Sequence, residues 1–584
     1  SSDGVPGGDS FGANAVGDAR AVRGERAGRM PPTRRTPPSV MPSVAILGAG
    51  PGGLVAARHL QAAGYRPTLF EQADGVGGQW RLGAPASRVW PGMRTNSSRV
   101  LTAFGDLAHP EGTPVYPSAE AVGAYLERYA ERFGLVERTR TGTRVEHLER
   151  DERTGRWQLR SRGSDGVART ESFGRVVVAT GWCGRPTTPH VEGLGTFVGR
   201  GGVTHAADYR GAEPFRGLRV LVAGGGISAL EVASELALHG AAEVVVASRR
   251  QRYVLQKLLA GVPADHVAFT RFAALAAESL PPAEVDAGLR ALVVGTSGSP
   301  EQYGAPRTAE SVFAAGLTLS QTFLPLVADG RIAVRPWLAR VDGREVRFAD
   351  GSAATFDAIV FGTGYEPELP FLGARVRAAV GLAPSPGEGG AFPGLGLYKH
   401  TFHPDLPGIA FLGLFEQIGP HLPTLELQAR WIAYAWSGRI AAPRRETMAA
   451  ALAAAAAVGA AGGAAGGRQA VPMHAAARLF ATAAGVEPDP HAWPALARAL
   501  FFGPLSPASF RLSGPDALSD APARVALDAA AFGAGGDRGL TPDQAEQLRS
   551  LADARGDARL AALVDRIGGT TFRAPGPTLA RGAA

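Results

Sequence analysis

A single cysteine, Cys183, is all the thiol chemistry in 584 residues. An internal disulfide, a C-x-x-C redox pair and a thiolate-rich metal site are therefore excluded. Lysine is nearly as scarce, at Lys257 and Lys399 only, so the net charge of +7 rests on arginines scattered along the chain. With no basic run or stripe, this charge is not a nucleic-acid footprint; a G+C-rich codon bias and anionic ligands account for it. No apolar stretch reaches the roughly 20 residues that a bilayer span needs. Residues 1–40, rich in Gly, Pro, Arg and Ser, lack the apolar core of a signal peptide, and a disordered arm is expected there, with Met41 as an alternative natural start. A hydrophobic content of 45% suffices for two or three domains, and a soluble cytoplasmic protein is expected.

What the chain does have is two glycine-rich loops of one design. The first follows the apolar run Ser43 to Leu47 and reads Gly48-Ala-Gly50-Pro-Gly-Gly53, with a helical pattern after it. Gly48 allows the tight turn, Gly50 lets backbone approach a pyrophosphate, and Gly53 allows close packing of helix on strand. The next strand, Arg66 to Phe70, ends on Glu71, whose carboxylate suits ribose hydroxyls and repels a 2′-phosphate. The second loop follows Arg219 to Ala223 and reads Gly224-Gly-Gly226-Ile-Ser228-Ala229. Its second strand, Glu243 to Ala247, ends on Ser248-Arg249-Arg250, and two guanidiniums there suit a 2′-phosphate by charge and by forked geometry. Two dinucleotides are expected, with NADP fitting the second loop better than NAD. The lack of a paired thiol excludes the dithiol reductases that share this two-nucleotide plan.

The order of the loops and the motifs around them resemble the flavin-containing monooxygenases, class B flavoprotein monooxygenases of the N- and S-oxygenating type, in which FAD binds first and NADPH second. Phe197-Val-Gly199 followed by His205-Ala-Ala-Asp-Tyr209 is similar to the family fingerprint, with two extra residues before the histidine. Ala179-Thr180-Gly181 and Thr363-Gly364-Tyr365 resemble the strand ends where the family's chain crosses between domains. Leu397 to His400, Phe411 to Leu414, Pro423 to Trp431 and Gly503 to Pro515 continue the likeness, which spans roughly Pro42 to Val525. It implies an α/β fold of two doubly wound, Rossmann-type domains, the NADPH domain inserted in the FAD domain, plus a C-terminal helical extension. The expected divisions are a 1–40 arm, an FAD domain of 41–211 and 357–440, an NADPH domain of 217–356, a low-complexity Ala/Gly linker over 441–470 and the extension over 471–584.

The resemblance also assigns roles. Asn96, in Arg94-Thr95-Asn96, becomes the catalytic residue facing the flavin C4a region, where a loop asparagine would otherwise cap its own backbone. Gln79 and Trp80 lie beside the flavin, while Thr180, His205, Tyr209, Thr363 and Gly364 line the cofactors; His205 could equally be a structural histidine. Thr424 is expected as the N-cap of a helix running through Trp436, its positive end towards the flavin. His400, His403 and His421 lack a Cys or acidic ligand pattern, so no metal is expected. The insertion from Tyr253 to Val327 is expected to line the substrate entrance, and the C-terminal extension to pack over the active site or at a homodimer interface.

The implied reaction is reduction of FAD by NADPH, addition of O₂ at C4a, and transfer of the distal oxygen of the hydroperoxyflavin to a soft nucleophile. Tyr209 stands where Baeyer–Villiger relatives typically carry Trp, which favours N-oxygenation of an amine or amino compound, as in bacterial specialised metabolism, over S-oxygenation or ketone oxidation. A reductase or oxidase without oxygen insertion, and a non-catalytic FAD-dependent scaffold, are the readings from other classes.

Overall fold

The computed structural model describes residues 41–84, 87–382, 394–461, 470–532 and 539–567, so the expected N-terminal arm lies outside the described residues. Val44 to Leu47 are at most 1% exposed, as befits a strand covered on both faces of a parallel sheet. This strand, β1 (Ser43–Leu47), leads through helix α1 (Pro51–Ala62) to β2 (Arg66–Phe70), paired in parallel with Ser43 opposite Arg66 and Leu47 opposite Phe70. β3 (Thr139–Arg140) and β4 (Arg175–Val178) extend the sheet, with an antiparallel three-stranded meander from Arg144 to Phe173 between them in the chain.

The chain then crosses to a second sheet, where β5 (Gly202–His205) forms an edge. The same plan repeats: β6 (Arg219–Ala223), helix α2 (Ile227–Leu238), β7 (Glu243–Ser248), a long insertion, β8 (Ile332–Pro336), a meander from Leu338 to Thr355, and β9 (Ala358–Phe361). The chain crosses back to place β10 (Ile409–Phe411) on the edge of the first sheet, and α3 (Leu422–Ser437) then packs across α1. The sheet orders are β10-β4-β1-β2-β3 and β5-β9-β6-β7-β8, all parallel. Each sheet thus takes its first edge strand from chain that has already passed through the other unit.

This pairing moves the expected boundaries. β5 and β9 fall within the segments assigned to the first domain, yet both hydrogen-bond in the second sheet. The Thr-Gly motifs lie just past the ends of β4 and β9, so the first crossing falls before β5, ahead of the expected boundary at 211, and the return crossing falls after β9, beyond the expected boundary at 357. In the expected linker, Arg445–Ala461 forms a helix, as an alanine run favours. Thr541 caps the helix Pro542–Arg555, its hydroxyl accepting the Gln544 N–H in a capping box, and helices Pro542–Arg555 and Ala558–Ile567 pack against Arg271–Ser279 of the insertion.

A buried ionic cluster joins the extension to α3. Arg511 donates to Glu426 (2.5 Å), Asp106 (3.0 Å) and Asp516, while Arg430 donates to Asp516 (2.6 Å) and to the Phe510 carbonyl. Glu426 also accepts the Gly105 N–H at 2.7 Å, and the Arg511 and Glu426 side chains are each 3% exposed. Removing one member of such a set strands the opposite charges in a dry interior. Arg511→Met is expected to cost about 3–5 kcal/mol in denaturant unfolding, whereas Arg340→Met, which breaks an exposed pair with Glu192, is expected to cost no more than about 1 kcal/mol.

Candidate active site

The first phosphate loop is shaped by what its glycines exclude. A Cβ on Gly48 would lie 2.6 Å from the Ala179 carbonyl oxygen, one on Gly53 would lie 1.9 Å from the Gly48 oxygen, and Gly48 has φ of +99°. Gly78 sits so close that its Cβ would approach the Gly50 Cα to 2.8 Å, which places the Gln79-Trp80 turn directly beside the loop. α1 begins at the N-cap Gly50 with no side-chain cap and no acidic residue in its first turn, leaving its amide end for an anion. Glu71 is 6% exposed and accepts the Ala49 N–H at 2.8 Å and the Ala73 N–H at 2.9 Å. Each carboxylate oxygen keeps lone pairs for ribose hydroxyls, and the loop holds the acid in place.

The second loop repeats this geometry. Gly224 presses on the Gly362 carbonyl, which a Cβ would meet at 2.4 Å, while a Cβ on Gly226 would meet nothing within 4 Å, an open cradle for a ligand. α2 again starts uncapped at Gly226, with Ser228 half-buried in its first turn. Arg249 lies over the Trp337 ring at 5.1 Å, and Arg250 donates to the Ala314 carbonyl at 3.1 Å, so both exposed guanidiniums are held at the end of β7. A small cavity beside them is lined by Gly225, Ser248, Arg250, Arg252 and Thr318. Arg252, which the position just after a strand did not single out, adds a third guanidinium. The residues present thus fit FAD at the first loop and NADP(H) at the second.

Asn96 lies at a contact between the first unit and the insertion of the second. It is half-buried in a bend, and its side-chain oxygen accepts from Lys257 Nζ at 3.3 Å instead of capping its own backbone. Lys257 belongs to the insertion, just before a hairpin of Leu258–Leu259 and Val262–Pro263, whose turn residues Ala260 and Gly261 both have positive φ. Beyond the turn, Asp265 Oδ2 accepts the Ser98 N–H at 2.6 Å, and Ser98 Oγ lies 3.1 Å from His266 Nε2. Burial pushes Asp265 up to about 7 and His266 down to about 4. The insertion therefore abuts the Asn96 loop, and Phe532 of the C-terminal extension lies against both Arg99 and His266.

The other candidates separate into those at the crossings and those in the core. Thr180 is exposed beside Gly48, and the Thr363 hydroxyl donates to the Thr187 carbonyl, tying the return crossing next to Gly364. His205 is 7% exposed, its Nδ1 accepting the Ala207 N–H at 3.0 Å and its ring edge-on to Tyr365; burial lowers its pKa, which favours the neutral ring. Tyr209 is a correction: at 1% exposure it is packed edge-on to Trp90 and stacked on Phe215 in the core of the second unit. Trp90 donates to Glu235 at 2.7 Å, so α2 already takes up the polar end of this aromatic group. Thr424 is a second correction, since α3 begins one turn earlier with His421 as N-cap, and the Thr424 hydroxyl, 2.7 Å from both the His421 carbonyl and Gln417 Oε1, lies inside the helix. Trp80 is half-buried against the first core, and Gln79 is half-buried next to it. Among the described residues no three His, Cys, Asp or Glu side chains gather as a metal site, and no helix is long and apolar enough to cross a membrane.

Residues 42–529 match the model of the FMO-like family, described as flavin-binding monooxygenase-like. Flavin-containing monooxygenase 1 of Oryctolagus cuniculus is 28% identical over 498 residues, covering 81% of this chain and 89% of that protein. The N-oxide-forming dimethylaniline monooxygenase 2 of Cavia porcellus is 27% identical, with the same coverage. Among solved structures, S-allyl-L-cysteine S-oxygenase from Allium sativum is 25% identical with a TM-score of 0.54, over 76% of this chain and 89% of that one. NADP⁺-bound cyclohexanone monooxygenase from Rhodococcus sp. Phi1 shares the fold, with a TM-score of 0.56 at 17% identity over 76% of this chain and 98% of that one. The chain belongs to the flavin-binding monooxygenase-like family and is an FAD-dependent monooxygenase that draws its electrons from NADPH.

Proposed function

We propose that this enzyme oxygenates nitrogen in an amine or amino compound: NADPH, a proton, O₂ and the amine give NADP⁺, water and the N-oxygenated product. The observation that carries this reading is the meeting of two nucleotide units of opposite terminal charge at Asn96, a polar side chain held by the domain opposite its own. FAD supplies electron transfer from NADPH and activation of O₂. The chain's residues bind and orient. Glu71 takes the ribose of the flavin dinucleotide, the α1 and α2 amide ends take the pyrophosphates, and Arg249 and Arg250 take the 2′-phosphate of NADPH. Gln79, Trp80, Thr180, Thr363 and Gly364 bound the space between, and Asn96 offers its amide to the oxygen site. Nitrogen is favoured by the N-oxide-forming relative; the garlic S-oxygenase supports sulfur as the second reading.

The direct test supplies NADPH and ¹⁸O₂ with a panel of tertiary amines, amino acids and sulfides. One ¹⁸O atom in an amine product is the expected outcome; a labelled sulfoxide with untouched amines would shift the assignment to sulfur, and unlabelled substrates with stoichiometric H₂O₂ would shift it to an oxidase. Arg250→Gln is expected to raise KM for NADPH about tenfold, the worth of a charge-assisted hydrogen bond or two, while leaving KM for NADH nearly unchanged. Asn96→Ala is expected to keep FAD and its reduction by NADPH but to divert at least about tenfold more of the O₂ consumed into H₂O₂.

A further inference from the structure

A buried cation lies on the seam between the two domains. Lys257 is 7% exposed, and its backbone is fixed, the carbonyl accepting the Ala264 N–H at 2.8 Å and the Tyr116 hydroxyl. The Tyr116 ring lies 5.1 Å from Nζ, a cation–π distance. The ammonium donates to the Thr95 carbonyl and to Asn96 Oδ1, each at 3.3 Å, and Glu231 Oε2 stands 3.9 Å away. Burial lowers the Lys257 pKa, Glu231 opposes that shift and Arg94 adds to it.

An ammonium has three donors and no acceptor, so it can meet the Asn96 amide only at its oxygen. That contact turns Nδ2 away from Lys257. Glu231 belongs to α2, the helix that starts at the second phosphate loop, so the same ammonium touches the NADPH side and the flavin side at once. We propose that Lys257 is a positioning residue: it fixes the Asn96 amide with Nδ2 free for the cofactor and oxygen site, and through Glu231 it ties that orientation to the helix beneath NADP(H). The inference rests on the reading of Asn96 given above.

The test is a double-mutant cycle read as binding of NADP⁺ to the oxidised, FAD-loaded enzyme by flavin fluorescence, with product formed per NADPH as a second readout. Lys257→Met and Asn96→Ala are each expected to weaken NADP⁺ binding, by about tenfold for Lys257→Met, and the double variant is expected to bind no more weakly than Asn96→Ala alone. Lys257→Arg, which keeps a cationic donor, is expected to restore most of the affinity and the product yield. Full multiplication of the two losses in the double variant, or wild-type behaviour of Lys257→Met, overturns the inference and leaves the reading of Asn96 standing. An Asn96→Ala enzyme with unchanged NADP⁺ affinity and product yield overturns both. FAD content and melting temperature accompany each variant. If Lys257→Met fails to hold FAD, Glu231→Gln takes its place in the cycle, with an expected loss of about threefold that again vanishes in the Asn96→Ala background.

Discussion

At both nucleotide loops the first glycine is pressed against the carbonyl at which the chain leaves its sheet. Gly48 meets Ala179 and Gly224 meets Gly362, at separations that leave no room for a Cβ. The phosphate cradle and the domain crossing are therefore one piece of backbone contact, made twice. The uncapped helix starts, the carboxylate of Glu71 and the guanidiniums after β7 are all placed relative to that contact. A side chain at either glycine would collide with the carbonyl at that crossing.

The seam between the domains is polar and local. Lys257, Tyr116, Asp265 and Ser98 bring a hairpin of the insertion onto the loop that carries Asn96, and Phe532 covers the outer side of that contact. Farther back, Arg511 and Arg430 neutralise carboxylates from three separate stretches of chain, Asp106, Glu426 and Asp516. Such buried sets are costly to break and geometrically exacting. They anchor the extension to α3, while a second contact, through the helices after Thr541, anchors it to the insertion.

How much of this is legible in the sequence depends on range. β1, β2 and β6 match their expected ends, because each is a short apolar run followed at once by a glycine turn or a terminal charged residue. Glu71 and Arg250 sit where position relative to the loops places them. Tyr209 is misleading because a fingerprint motif does not say whether its aromatic faces a ligand or a core, and Trp90, which encloses it, lies far away in the chain. Thr424 is misleading because Pro at the second helical position mimics a start one turn late. Lys257 carries no motif at all; its partners Asn96 and Glu231 come from other elements, and only the folded chain brings them within reach. The edge strands β5 and β10 are likewise invisible to local pattern, since their sheets are chosen by the crossings.

That exchange of edge strands bears on how the molecule can be divided. A fragment cut at the apparent borders of the inserted unit, residues 217–356, would carry only three of its five sheet strands and would leave β6 without β9 along one whole side. The matching remainder would keep β5 and β9 with no sheet to receive them. Bare strand flanks of this kind invite pairing with other chains. Swapping nucleotide units between relatives would succeed only with junctions set outside β5 and β9, in the crossings themselves, so that recombination in this architecture has to respect the thread of the chain rather than the outline of the domains.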